Sequence, residues 1–157
     1  MIKNLLPTLD HEKYLRFAIE LAYNSREEGN HPFGAILVGI NGEILLKAMN
    51  TFGIKGDSTS HAERNLMSLA SIKYAPEFLK NCTMYASAEP CAMCSAAISE
   101  VRIGRIYFGA YDEKKGSLES IMRIYNTKNY FVPEVYGGIN ETECSTILKK
   151  FFQEKRQ

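Results

Sequence analysis

Hydrophobic positions near the start of the chain recur at helical spacing, with charged residues between them. The first apolar stripe consists of Leu15, Ala18, Ile19 and Ala22. A stripe with this period predicts an amphipathic helix over residues 11–28 that ends near Gly29. A second stripe with the same period predicts a last helix over residues 140–155. This stripe consists of Ile147, Leu148, Phe151 and Phe152.

Two short apolar runs on either side of Asn41-Gly42 are typical of a β-hairpin. One run covers residues 34–40 and the other covers residues 43–48. Asn-Gly is a dipeptide that tight hairpin turns favour, because both central positions then need a residue that tolerates a positive φ. The two runs are therefore predicted to pair as antiparallel strands.

Strand-like and helix-like segments alternate through the middle of the chain. The predicted order is a loop over residues 56–60, a helix over 61–75 stopped by Pro76, a strand over 82–88, a helix over 90–100 and a strand over 105–110. Strands that alternate with helices of this length indicate parallel βαβ units. Together with the hairpin they predict an α/β fold of three layers, in which a central mixed sheet of about five strands has helices on both faces.

The composition is that of an ordinary globular chain. Its 157 residues are 45% hydrophobic and 24% charged, and this length suits a single domain over residues 1–157. Nineteen Lys and Arg against eighteen Asp and Glu give a formal charge of +1, so the overall charge does not indicate a polyanionic partner.

Apolar stretches are only a few residues long, and the N-terminus lacks the apolar run of a signal peptide. We therefore expect no contact with a membrane and a cytoplasmic location. In a reducing compartment the four cysteines are expected to bind metal or to stay free rather than to form disulfides.

Two segments carry candidate chemistry. They are His61-Ala62-Glu63 and Pro90-Cys91-Ala92-Met93-Cys94. A catalytic zinc ion needs three protein ligands and one open position, and it accepts an imidazole together with thiolates. Cys91 and Cys94 are three residues apart at the start of a predicted helix, so both sulfurs can reach one ion. His61 can supply the third ligand if the two helix N-termini meet at the carboxyl ends of the parallel strands.

Glu63 lies beside this ligand set without belonging to it. A zinc ion lowers the pKa of a bound water to about 7. Glu63 can then take the proton of that water and deliver it to a ring nitrogen of a substrate, so that ammonia leaves. Ser60 followed by Glu63 also matches a helix capping box, in which the carboxylate would instead bind the start of its own helix.

Other interpretations of the cysteines are weaker. A lone C-x-x-C pair can be a redox motif, but a nearby His-x-Glu has no role in one. A structural zinc site would normally have a fourth protein ligand. His11 and His31 are remote in sequence, while Cys82 and Cys144 fall on a predicted strand and a predicted helix and are interpreted as core residues.

The pair of motifs resembles the signature of the zinc-dependent nucleobase deaminases, H-x-E followed by P-C-x-x-C. The order of hairpin, helix, strand, helix and strand is similar to that of the cytidine deaminase-like superfamily over most of the chain. Within it, the chain resembles the branch that contains guanine and nucleoside deaminases and tRNA adenosine deaminases. The resemblance implies a hydrolase with bound Zn²⁺ that forms a homodimer.

The same resemblance implies three substrate contacts. Asn50 matches an asparagine that hydrogen-bonds the base, although it can also be a turn residue that closes the hairpin. Phe33 would line the substrate cavity or, alternatively, pack in the core. The backbone of Ala62, with that of Cys91, would contact the reacting group.

Two sets of residues point to different substrates. Phe33, within Pro32-Phe33-Gly34-Ala35, resembles the guanine deaminases, whereas Phe108-Gly109-Ala110 and the C-terminal segment resemble the tRNA enzymes. Because the chain is nearly neutral, the sequence favours deamination of a small-molecule nucleobase or nucleoside of purine metabolism, of the guanine, cytosine or adenine type. The alternatives are a tRNA-specific adenosine-to-inosine deaminase and, from another class, a zinc-stabilised binding module without turnover.

Overall fold

Five strands form one mixed sheet at the centre of the protein, for which a computed structural model describes residues 9–156. The strands are β1 (Gly34–Val38), β2 (Ile44–Met49), β3 (Thr83–Ala88), β4 (Arg105–Ala110) and β5 (Glu134–Tyr136). They lie in the order β2-β1-β3-β4-β5, in which β1 is antiparallel to both neighbours while β3, β4 and β5 run parallel. The predicted mixed sheet of about five strands is confirmed.

Within the described residues 9–156, six α-helices surround the sheet. They are α1 (His11–Glu27), α2 (Phe52–Lys55), α3 (Ala62–Lys73), α4 (Pro76–Leu79), α5 (Ala92–Val101) and α6 (Glu141–Arg156). Asp10 begins α1, since its carboxylate accepts a hydrogen bond of 3.1 Å from the N–H of Lys13. None of the described helices is both long and apolar enough to cross a membrane.

Side chains on β1 alternate between two hydrophobic cores, as the pleat of a strand requires. Ala35 and Leu37 pack on one face of the sheet against α3 and α5. Ile36 and Val38 pack on the other face against α1 and α6. This alternation produces the three layers that the sequence predicted.

The predicted hairpin is present, and its turn is well defined. The N–H of Gly42 donates to the carbonyl of Gly39 over 3.0 Å, and Gly42 itself has a φ of 89°. A positive φ of this size favours glycine. The hairpin is confirmed, but its turn is longer than predicted: β1 ends at Val38 and β2 starts at Ile44, and Ile40 and Asn41 are the central residues of the hydrogen-bonded turn.

Three details of the prediction are wrong. The helix predicted over residues 61–75 is shorter in the structure, where it forms α3. Pro76 is the first residue of a separate helix, α4. At that position the N–H that proline lacks would have no partner within the helix, so its absence costs nothing. Helix α2 was not predicted. Strand β5 was not predicted either, because its three residues are too few to show the alternation of a strand in the sequence.

Candidate active site

The two motifs meet where α3 and α5 begin, close to the carboxyl end of β3. His61 is the residue immediately before α3, Cys91 is the residue immediately before α5, and Cys94 lies in the first turn of α5. The two helices pack against each other on one face of the sheet. The expected convergence of the two helix N-termini is therefore present.

The three side chains are spaced as zinc ligands would be. His61 Nδ1 lies 3.5 Å from Cys91 Sγ and 3.5 Å from Cys94 Sγ. Tetrahedral zinc with Zn–S of about 2.3 Å and Zn–N of about 2.0 Å places nitrogen and sulfur ligands about 3.5 Å apart. Within residues 9–156, this is the one cluster of three or more His, Cys, Asp or Glu side chains that could hold a metal ion. Three ligands without a fourth from the protein suit a catalytic zinc site rather than a structural one.

Hydrogen bonding within the cluster favours an ionised thiolate at Cys91. A hydrogen bond from Cys94, and a further one from His61, lower the pKa of the Cys91 thiol well below its usual value. The hydrogen bond to Cys91 and burial both raise the pKa of Cys94. The hydrogen bond to Cys91 also raises the pKa of His61. Cys91 is thus the group of this cluster that most readily takes the anionic form a metal ligand needs.

Glu63 lies buried beside the three candidate ligands, with 5% of its side chain exposed. Burial raises its pKa to about 7. The capping-box interpretation of this residue is wrong, because α3 starts after His61 and the N–H of Ser60 donates to Asp57 instead. Glu63 is therefore not the partner of Ser60 in a capping box.

The amide oxygen of Asn50 binds the backbone, while the residue also lines the cavity. Its Oδ1 accepts hydrogen bonds from the N–H of Phe52 over 2.9 Å and from the N–H of His31 over 3.4 Å. The turn role considered from the sequence is present. Asn50 also lines the cavity described below, so its Nδ2 group can serve as a donor to a bound ring.

Phe33 and Ala62 occupy different positions relative to the site. Phe33 is half-buried, packs against both hydrophobic cores and also lines the cavity, so that both interpretations of it hold. Ala62 is fully buried in the first turn of α3. N–H groups in a first turn have no partner within the helix, so the backbone of Ala62 is the part that can act on a ligand.

A cavity of about 780 Å³ opens in front of the candidate ligands. Its floor contains His61, Glu63 and Cys91. The segment 111–115 forms one part of its wall, and the side of α6 that carries Leu148 and Phe152 forms another. The site is thus a cleft lined by a loop and a terminal helix.

His31 is outside the cluster of candidate metal ligands, as expected, but it belongs to the cavity. Its ring lines the cavity and lies 5.1 Å from the rings of both Phe52 and Phe151. Burial lowers the pKa of His31, and the charges of Lys155 and His61 act in the same direction. By contrast, the interpretation of the other two cysteines as buried residues is confirmed, with Cys82 1% and Cys144 2% exposed.

Glu89 and the segment that follows β4 also belong to the site, and the sequence did not reveal them. Glu89 is only 4% exposed and lines the cavity next to Pro90. Its position directly before the cysteine motif was the available signal. Its partners lie 23 to 31 residues away and are mostly backbone N–H groups, which leave no mark in a sequence.

Comparison with known proteins identifies relatives of the whole chain. Residues 8–110 match the family described as the cytidine and deoxycytidylate deaminase zinc-binding region. The chain is 37% identical over 144 residues to a protein of Agrobacterium fabrum named tRNA-specific adenosine deaminase, a match that covers 91% of this chain and 94% of that protein.

Solved structures give the same picture. One, from a study of A-to-I editing by tRNA:A34 deaminases at the wobble position of transfer RNA, has a TM-score of 0.78 and 33% identity and covers 87% of this chain and 99% of its own. A guanine deaminase from Nitrosomonas europaea has a TM-score of 0.75 at 19% identity, covering 93% of this chain and 86% of its own. The second similarity is one of fold alone.

Proposed function

Because this chain belongs to the cytidine and deoxycytidylate deaminase family and is a zinc-dependent deaminase, we propose that its substrate is adenosine within transfer RNA, which it converts to inosine. The observation that carries this proposal is the 37% identity to a tRNA-specific adenosine deaminase along nearly the full length of both chains. The solved structure with 33% identity supports the wobble position as the target. This proposal takes the place of the preference for a free base, which rested on the near-zero net charge and on the segment that contains Phe33.

Each residue of the site has a defined task in this reaction. His61, Cys91 and Cys94 would hold the zinc ion, which when bound supplies the activation of the attacking water. Glu63 takes a proton from that water and passes it to the ring nitrogen next to the reacting carbon. A C–O bond forms at that carbon. Glu63 then moves the remaining proton of the added hydroxyl to the amino group, the C–N bond breaks and ammonia leaves. Adenosine and water thus yield inosine and ammonia.

The floor of the cleft suits a base that has been turned out of its stack. An enzyme that reacts with a base in RNA must extrude it and hold it by its edge and faces. The Asn50 amide can donate to the edge of the ring, and the half-buried ring of Phe33 can contact its face. The backbone N–H of Ala62 can approach the reacting group.

The rim of the cleft supports a substrate larger than one base. A cavity of about 780 Å³ is within the range of roughly 300–1,000 Å³ that holds drug-sized ligands, which are larger than a purine ring. Lys114 and Lys115 lie in the loop part of its wall, and Lys149 and Arg156 lie in the α6 part; the same lining also carries the acidic residues Asp112, Glu113 and Glu141. The four positive groups can neutralise phosphates that flank the reacting nucleotide, so the near-zero net charge of the whole chain does not by itself exclude an RNA substrate.

A free purine base is the second candidate, and Phe33 is the observation that favours it. The segment that contains Phe33 resembles the guanine deaminases, and the side chain lines the cavity. Formation of inosine in tRNA, compared with ammonia release from free bases and nucleosides, separates the two candidates.

A further inference from the structure

The carboxylate of Glu89 gathers five hydrogen bonds from one loop. Its Oε1 accepts from the N–H of Asp112 over 3.2 Å and from the hydroxyl of Ser120. Its Oε2 accepts from the N–H groups of Leu118, Glu119 and Ser120 over 3.1, 2.8 and 3.0 Å. A side chain that is 4% exposed thereby joins both ends of the segment 112–120.

This bonding excludes a chemical role for the Glu89 carboxylate. A carboxylate has about four lone-pair sites, and five donors occupy them. Glu89 is also outside the cluster of His61, Cys91 and Cys94. It is therefore available neither to bind a metal ion nor to shuttle a proton, although it lines the same cavity as Glu63.

The same loop is attached to the start of α5 by further contacts. The N–H and the hydroxyl of Ser117 both donate to the carbonyl of Pro90, over 3.0 and 3.1 Å. Gly116 pairs with Cys91 as in an antiparallel sheet. A Cβ atom at Gly116 would overlap the Glu89 carboxylate. The loop can therefore lie this close to Glu89 only with glycine at this position.

The segment 111–115 of this loop is also a wall of the substrate cleft. Asp112 shapes that segment locally, since its Oδ1 accepts from the N–H groups of Lys114 and Lys115 over 3.0 and 3.1 Å. We propose that Glu89 is a positioning residue, which fixes the loop 112–120 against the start of α5 so that its wall segment meets the nucleotides flanking the reacting base. The proposal rests on the proposed function for the nature of the substrate.

This arrangement predicts a specific pattern of kinetic effects. The wall contacts the substrate outside the reacting ring, so a displaced wall weakens binding of substrate and transition state alike. Such a change raises KM and leaves kcat nearly unchanged. Damage to the metal cluster would instead lower kcat and the zinc content together.

The experiment replaces Glu89 by Gln in the full chain, which keeps the shape but turns one acceptor oxygen into a donor NH₂. Glu100→Gln is the matched control, because Glu100 is exposed at the far end of α5 and the charge change is the same. Three quantities are measured: zinc content, the rate of tryptic cleavage after Lys114 and Lys115, and the steady-state constants for inosine formation in tRNA.

For Glu89→Gln we expect zinc at the wild-type level, several-fold faster cleavage at both lysines, and a KM about 10-fold higher, which corresponds to about 1.4 kcal/mol, the scale of one hydrogen bond to a charged group. Ser120→Ala removes one donor and keeps the carboxylate, so it should show a smaller change in the same direction even if Glu89→Gln folds poorly.

Unchanged cleavage and unchanged KM in both variants would overturn the proposal, as would loss of zinc with a matching fall in kcat. If the wild-type protein forms no inosine in tRNA, the proposed function fails. The cleavage and zinc measurements then still decide whether Glu89 fixes the loop.

Discussion

His61 Nδ1 and Cys91 Sγ lie 3.5 Å apart although 30 residues separate them in the chain. Each residue stands immediately before a different helix, α3 or α5. A zinc ion held by both side chains therefore cross-links two helices that also pack against each other. Metal binding and folding are coupled in such a site, because the unfolded chain does not preserve the ligand geometry.

The first prediction concerns metal content and stability. Purified protein should hold about one zinc ion per chain, and Cys94→Ser should remove the metal and lower the thermal unfolding temperature. Metal analysis together with thermal unfolding measures both effects. Cys82→Ala is the control, since Cys82 is equally buried but lies outside the cluster, and it should keep its zinc. A chain that folds and deaminates without any transition metal would contradict the mechanism.

The second prediction concerns Glu63. Glu63→Gln preserves the shape of the side chain but cannot carry protons, so zinc should remain bound while kcat falls roughly 10²-fold or more. Glu100→Gln should leave both quantities unchanged. A variant that loses stability but retains turnover would show that Glu63 serves folding rather than catalysis.

The third prediction concerns pH and His11. Nδ1 of His11 lies 2.7 Å from the hydroxyl of Tyr85, and its ring stacks on Tyr107. Burial lowers the pKa of His11; the negative charge of Asp10 opposes this shift, and the positive charge of Arg105 adds to it. As the pH falls, His11 takes up a proton near pH 6.5 in the unfolded chain, whereas in the folded chain it stays neutral to a lower pH. The contribution of this group to the free energy of unfolding is therefore present above about pH 6.5 and is lost as the pH falls toward the folded pKa.

His11→Gln removes this titration and provides the test. Urea unfolding at about pH 8 and about pH 5 should show a wild-type advantage that shrinks on acidification. His31, whose pKa is also lowered, is present in both proteins and cancels in the comparison. A difference that stays constant or grows at acid pH would contradict the assignment.

The fourth prediction concerns the α6 side of the cleft entrance. Replacing Lys149 and Arg156 by Gln should raise KM for tRNA and reduce the dependence of log kcat/KM on log salt by roughly 0.7 for each phosphate that these side chains neutralise. Lys80→Gln is the control, because Lys80 is exposed near the start of β3, at the opposite end of that strand from the site. An unchanged salt dependence would show that Lys149 and Arg156 do not bind phosphates of the tRNA.

Local patterns predicted most of the fold. The stripe that contains Leu15 and Ile19 predicted α1, and Asn41-Gly42 predicted the hairpin turn, because each signal depends on residues that are neighbours in the chain. The ligand set was also predictable, since the spacing of Cys91 and Cys94 is itself local. His61 required only the general rule that sites form at the carboxyl ends of parallel strands.

Interactions between distant segments could not be predicted in the same way. The ring of His31 lines the cavity and lies against Phe151 of α6, and periodicity does not indicate where a terminal helix docks. The partners of Glu89 are backbone groups, which every residue possesses. Net charge is a poor guide to the substrate, because a sum over 157 residues does not show which charged side chains line the cavity.

The most direct test of the proposed function compares the activity of the purified zinc-loaded protein on different substrates. A tRNA with adenosine at the wobble position is compared with adenine, guanine, cytosine and their nucleosides, by inosine analysis of the tRNA and by ammonia release. We predict inosine at that position, a rate that falls as salt rises, and little or no ammonia from the small molecules. Efficient, salt-insensitive release of ammonia from a free base, with the tRNA unchanged, would contradict the proposal.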